Sequence, residues 1–207
     1  MKKVLCILLV SMLFILSGCS DAKKVSTKEN KESQTDAADI AENEEKPMNG
    51  VFRYANWGDS METVEEREVE KLELKEEDGL MYGNIKLLTY NVDAFYFFED
   101  NKFKEGFYDI TDTHTNENKY IDDFKNINEV LIEKYGEPLV NEEKWIRDIL
   151  KSDPGLAMYY GDVTYRTLWE FDNLTIFHML YSDNFKISHG IFYSNPNDPE
   201  KKNTSGL

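Results

Sequence analysis

Residues 93–111 read DAFYFFEDNKFKEGFYDIT. Two aromatic-rich runs, residues 93–99 and 103–111, flank Glu99-Asp100-Asn101-Lys102, whose short Asp-Asn centre suits a tight hairpin turn. A second passage echoes the first. Asp183-Asn184-Phe185-Lys186 followed by Gly190-Ile191-Phe192-Tyr193 matches Asp100-Asn101-Lys102-Phe103-Lys104 followed by Gly106-Phe107-Tyr108. Each echo reads as the hairpin that closes one half of a duplicated domain, and short turns favour antiparallel pairing.

The order of elements around these hairpins repeats. Asp59-Ser60 caps a helix expected over about residues 60–71, with Glu62 and Glu65 near its positive end. Strands are expected over 80–90, 93–99 and 103–111. Tyr120, Phe124, Ile127, Leu131 and Tyr135 then recur at helical spacing until Gly136 and Pro138 stop the run. Short helices are expected over 141–150 and from Asp153-Pro154 to Gly161, followed by strands over 163–171, 174–182 and 185–193. The expected fold class is α+β: two related halves, each a helical segment followed by three antiparallel strands, with helices packed on one face of the sheet.

Outside this body the chain changes character. Residues 1–18 form an export signal: Lys2 and Lys3 precede an apolar run over residues 4–16, shorter than a membrane-spanning helix. Leu16-Ser17-Gly18-Cys19 resembles the bacterial lipobox. That resemblance implies a diacylglyceryl group on the Cys19 thiol and cleavage before Cys19, and hence a membrane partner and an extracytoplasmic location. Residues 19–49 then hold the lipidated cysteine and an acidic tether. From Ser20 to Asn49 thirteen of thirty residues are charged and none is aromatic, so this segment is expected to be disordered. A single domain is expected over 50–195 and a flexible tail over 196–207.

Charge and composition exclude several classes. The formal charge is −16. Loss of the signal removes two lysines and no acid, so 22 basic and 40 acidic residues remain, a net −18. Nucleic acid is therefore excluded as a partner. Both cysteines, Cys6 and Cys19, lie in the first twenty residues, so the body has no disulfide and no thiolate metal site. No HExxH, GxSxG, Walker A, GxGxxG or EF-hand spacing occurs, so no cofactor and no catalytic residue is assigned.

Arg53-Tyr54-Ala55-Asn56-Trp57-Gly58-Asp59-Ser60, followed by Val64 and Glu68, resembles the opening of a group of uncharacterised bacterial lipoproteins. Leu131, Lys134-Tyr135-Gly136-Glu137-Pro138 and Trp169 fit the same group. Over residues 52–193 the layout is similar to the tandem helix-plus-sheet repeats of the beta-lactamase-inhibitor-protein-like fold. The resemblance implies a binding or assembly role, without a catalytic residue to carry over.

The residues themselves offer few sites. Glu68 falls four residues after Val64 on the inward helix face, where a carboxylate must be paired, and Arg53 is its nearest candidate for a structural clamp. His178 and His189 face each other across a hairpin if Asp183-Asn184 is its two-residue turn. They are the metal candidates, although zinc needs further ligands. His114 is read as a loop residue. The acid pairs Glu65/Glu66, Asp122/Asp123 and Glu142/Glu143 are read as solvated. From Phe52 to Tyr193 there are 26 aromatic residues, more than a core of this size requires. Runs such as Phe95-Tyr96-Phe97-Phe98 and Met158-Tyr159-Tyr160 are therefore expected to leave rings on an open sheet face.

Two functions follow from this reading. One is a monomeric, lipid-anchored module that binds an envelope or extracellular protein, peptide or glycan through exposed aromatics. The alternative is a small extracytoplasmic hydrolase or glycan-processing enzyme with a dispersed carboxylate/His site.

Overall fold

The computed structural model describes residues 50–198. The signal, Cys19 and the whole of the tether lie outside the described residues, as does the tail beyond Asp198. The chain is α+β, built on one eight-stranded antiparallel sheet. Helix α1 spans Met61–Arg67. It is followed by strands β1 (Leu72–Lys75), β2 (Gly79–Leu87), β3 (Tyr90–Glu99) and β4 (Lys102–Ile110). Helix α2 (Asn118–Tyr135), strand β5 (Val140–Trp145), a single 3-10 turn at Asp148–Leu150 and helix α3 (Pro154–Tyr159) come next. Strands β6 (Val163–Phe171), β7 (Leu174–Asp183) and β8 (Lys186–Ser194) complete the order. In the sheet the strands lie β1-β2-β3-β4-β8-β7-β6-β5, so β4 and β8 meet at the centre and β1 and β5 form the edges.

The two central hairpins turn on two residues each. Asp100 and Asn101 have φ of 48° and 55°, between the paired Glu99 and Lys102. Asn184 and Phe185 have φ of 51° and 64°, between the paired Asp183 and Lys186. Positive φ at both positions gives the strand twist that a two-residue hairpin needs, and after glycine Asn and Asp tolerate it best. The second turn is therefore Asn184-Phe185 rather than Asp183-Asn184. His178 consequently stands opposite Ile191 and His189 opposite Leu180. The histidines share a face as diagonal neighbours, not as a facing pair.

Three further elements differ from expectation. Helix α1 ends at Arg67 instead of running to about 71: Glu68 is extended (φ −68°, ψ 140°), which turns its carboxylate into the interior. Residues 141–150 are mainly strand, not helix. Asn141 pairs with Thr167, Glu142 with Arg166 and Glu143 with Tyr165, so edge pairing overrides the helix preference of Glu and Lys. With β1, this makes eight strands rather than six. Both edge strands carry charged side chains, which discourage pairing with another chain.

The core is aromatic and grows inward from alternate strand positions. Tyr96, Phe98, Phe103, Tyr108 and Tyr193 point to the side where Phe52 packs, and all are nearly inaccessible. Phe52 lies 4.8 Å from the Tyr96 ring, 5.4 Å from Tyr108 and 5.7 Å from Tyr193. It fits because β4 has no side chain at Gly106: a Cβ there would sit 2.2 Å from the Phe52 ring. Ile127 and Leu131 of α2 join the same cluster, while Ile121 and Phe124 pack with Tyr165 and Leu180 in a second one. The tryptophan and tyrosine polar atoms in this core are satisfied: Trp169 Nε1 donates to Gly136 O at 2.8 Å, and the Tyr135 and Tyr193 hydroxyls bond at 3.0 Å.

The Gly106 notch yields a direct expectation. Gly106→Ala forces the Phe52 ring out of its place and destabilises the fold by about 1–3 kcal/mol, read by urea denaturation. Unchanged stability would mean that Phe52 does not fill this notch.

Candidate binding surface

The residues that alternate with the core positions form a second pattern on the opposite side of the strands. Register aligns Met81 with Phe95, Phe95 with Phe107, Phe107 with Phe192, Phe192 with Phe177, Phe177 with Leu168 and Leu168 with Val140. Seven strands thus contribute one apolar side chain each to a single row, about 29 Å long at the usual strand spacing. The rings touch in series, with centroids 5.2 Å apart for Phe95–Phe107, 5.9 Å for Phe107–Phe192 and 6.1 Å for Phe177–Phe192. Phe107 at the centre is buried by its neighbours, and Phe95, Phe177 and Phe192 are half-buried.

The expected open aromatics therefore divide by strand alternation. Tyr96 and Phe98 are core residues, while Phe95 and Phe97 point the other way, half-buried. Twelve of the 26 rings are buried and only Tyr159, Tyr160, Phe171 and Phe185 are largely exposed. Met158 is a buried residue of α3, whereas Tyr159, Tyr160 and Phe185 touch one another at 5.5–5.9 Å near the β7–β8 turn. The Phe row is thus shielded at its centre and accessible along its length.

Charged residues flank the row. Asp93 and Asp109 oppose each other across β3 and β4. Burial, then the charge of Asp93, pushes the Asp109 pKa up to about 6, with Lys186 acting in the other direction. Arg166 is paired with Glu142.

The candidate clamp residues meet in the interior. Arg53, at φ 49°, donates from Nε and Nη2 to the Glu68 carboxylate at 2.8 and 2.7 Å, with both side chains almost wholly buried. The Tyr96 hydroxyl also donates to Glu68. Burial works to raise the Glu68 pKa, but the bonds and charge of Arg53, with Tyr96 and the Val69 N–H, hold it below the ordinary carboxylate range. Arg53 Nη1 also donates to the Tyr108 hydroxyl at 3.5 Å, and Glu70 lies 4.0 Å from Nη2, so the pair ties residues 52–55, α1 and the sheet together.

His178 and His189 are also interior. Their Nε2 atoms lie 3.0 Å apart, His178 Nδ1 is 3.3 Å from Asn128 Oδ1, and Phe124 stacks on His178 at 4.0 Å. If His178 Nδ1 donates to Asn128, His189 Nε2 must donate to His178, and His189 Nδ1 is left a bare acceptor. That atom has no partner among the described residues. Burial lowers both pKa values, His189 to about 3, with the neighbouring imidazoles adding to the effect. No third ligand joins them: among the described residues no group of three His, Cys, Asp or Glu side chains could hold a metal ion. His114 is bonded to Asp123 and the acid pairs are spread apart, Glu65 with Lys75, Asp122 with Lys119 and Glu143 with Trp145 Nε1. A shallow cavity of about 220 Å³ lies between Trp57, Lys102, Phe103, Asn195 and the Lys104–Asp198 ion pair.

No family model, curated protein or solved structure matches the chain. Among the described residues no helix is long and apolar enough to cross a membrane.

Two expectations follow from the buried polar groups. Glu68→Gln removes the close partner of the buried Arg53, leaving Glu70 at 4.0 Å, and lowers stability by about 3–5 kcal/mol, and Arg53→Met in the same chain restores much of that loss. A double variant no more stable than the single one would contradict a mutual pair. The histidines are neutral in the folded state and take up protons when unfolded, so their contribution is full above pH 6.5 and falls as pH drops towards 3. Each adds about 1.4 kcal/mol per pH unit to the slope in that window. Urea denaturation between pH 7 and 4.5 should show a clearly steeper loss for the natural chain than for His178→Gln/His189→Gln. Equal slopes would overturn the neutral pair.

Proposed function

We propose that this chain is a lipoprotein held on the extracytoplasmic face of a cell membrane through Cys19, and that its body is a binding module for an envelope or extracellular protein, peptide or glycan. The observation that carries the reading is the aligned row Met81–Phe95–Phe107–Phe192–Phe177–Leu168–Val140. Four phenylalanines fall in register on the neighbouring strands β3, β4, β8 and β7, on the side of the sheet opposite Tyr96, Tyr108 and Tyr193. Accessible apolar patches of this kind mark interaction sites, and aromatic side chains supply most of the energy in such contacts.

Within this reading the sheet is two related halves, α1 with β1–β4 and the α2–α3 segment with β5–β8, with helices on one face. The mirrored strand order about β4 and β8, the two Asn-containing turns and the shared Asp-Asn-Phe-Lys echo support it. A helix-free face then carries the row. Among the described residues the converging histidines are buried, and no carboxylate pair joins them to favour the hydrolase alternative.

Two measurements test the reading. The native protein should carry diacylglycerol on an N-terminal Cys19 by intact mass, and a chain that begins beyond Cys19 without lipid would refute the anchor. Phe95→Ala and Phe177→Ala together should cut capture of envelope partners at least about tenfold, which is an interface loss of about 1.4 kcal/mol. Undiminished capture by a chain that still melts cooperatively would remove the row from function.

A further inference from the structure

The geometry points to a cationic polypeptide as the occupant of the sheet face: a segment that lays apolar side chains along the phenylalanine row and seats a lysine or arginine between Asp93 and Asp109. This inference rests on the reading of the row as a binding surface and adds the chemistry of what binds it.

The two carboxylates stand directly opposite each other on neighbouring strands, where side chains come within about 5 Å and like charges repel. Asp93 accepts the Asn84 N–H at 3.3 Å. Asp109 has no hydrogen-bond or ion-pair partner among the described residues, although neighbouring groups bury much of it. On its other side β8 presents Gly190, which has no side chain to bond or cover the carboxylate. Two positions along β4 is Phe107, the centre of the row. A cation seated on Asp109 would therefore also lie beside the Phe95 and Phe107 rings, where cation–π attraction adds to the charge interaction. No ion pair seats a cation there: Arg166, three strands away, is engaged with Glu142, and Lys186, four residues from Gly190 on β8, acts on Asp109 through its charge without an ion pair to it. Two carboxylates without a third ligand do not make a metal site, whereas one ammonium or guanidinium satisfies both. Anionic polymers and anionic lipid would be repelled by the same pair and by the chain's net charge.

A random peptide display library panned at pH 7 against the full-length protein supplies the probe, and the tightest peptides are then measured at pH 5 and 7. The expected peptides combine lysine or arginine with apolar residues. A cation binds the ionised form of Asp109, so affinity should rise about tenfold from pH 5 to pH 7, following ionisation of a carboxyl near pH 6. Asp109→Asn should abolish that pH dependence and reduce affinity at pH 7 about tenfold, without lowering the melting temperature, because it removes a repulsion. Peptides that need Phe177 and Phe192 but are uncharged, or that ignore Asp109→Asn, would overturn the cationic assignment and leave the binding face standing. Peptides indifferent to Phe177→Ala/Phe192→Ala, or no binders at all, would overturn both.

Discussion

The pairing of β4 with β8, Glu105–Asp109 against Ser194–Gly190, is the contact on which the rest depends. Without it the chain holds two four-stranded sheets, each with an unpaired central edge. With it, Phe107 and Phe192 become neighbours on one side while Tyr108 and Ile191 become neighbours on the other. Strand alternation makes the two consequences inseparable: the register that closes the core also closes the row. A slip of one residue at this seam would turn Phe107 inward and expose Tyr108, and both patterns would fail together.

The interior spends polar groups in two places, and they differ in kind. Arg53 and Glu68 are mutually saturated, and their burial is tolerated because each satisfies the other and Tyr96 adds a further donor. Such a pair adds little net stability but makes the wrong packing expensive, since either partner left alone is a buried charge. The His178–His189 pair is incompletely satisfied, with a bare nitrogen under α2. Burial favours its neutral form over the protonated one, which ties the hold of α2 on β7 and β8 to pH.

How much of this could be read from the residues follows from range. Asp100-Asn101 announced its turn because the signal is local, and the α2 stripe announced itself by period. The Arg53–Glu68 contact was open to reasoning because a carboxylate on an inward helix face needs a partner and few cations are near. Strand β5 was misread because Glu142, Glu143 and Lys144 favour helix alone, and only the edge of β6 makes them a strand. The histidine register was missed by one turn position, because phenylalanine at φ 64° is a poor guess for a turn centre. The Phe52–Gly106 notch and the Asp93–Asp109 opposition arise from pairings that no short window contains. The row is the same kind of object: each member is one outward residue of an ordinary strand, and it becomes a surface only when six registers are known.

The central claim is that this row is covered by a partner where the protein works. Hydroxyl-radical footprinting of the protein in intact cell envelopes, compared with the same protein extracted in mild detergent, reads it directly. The account predicts that Met81, Phe95, Phe177 and Phe192 are oxidised several-fold less in the envelope, while Tyr159, Tyr160 and Phe185 react equally in both. Equal oxidation of the row in the two preparations would contradict it.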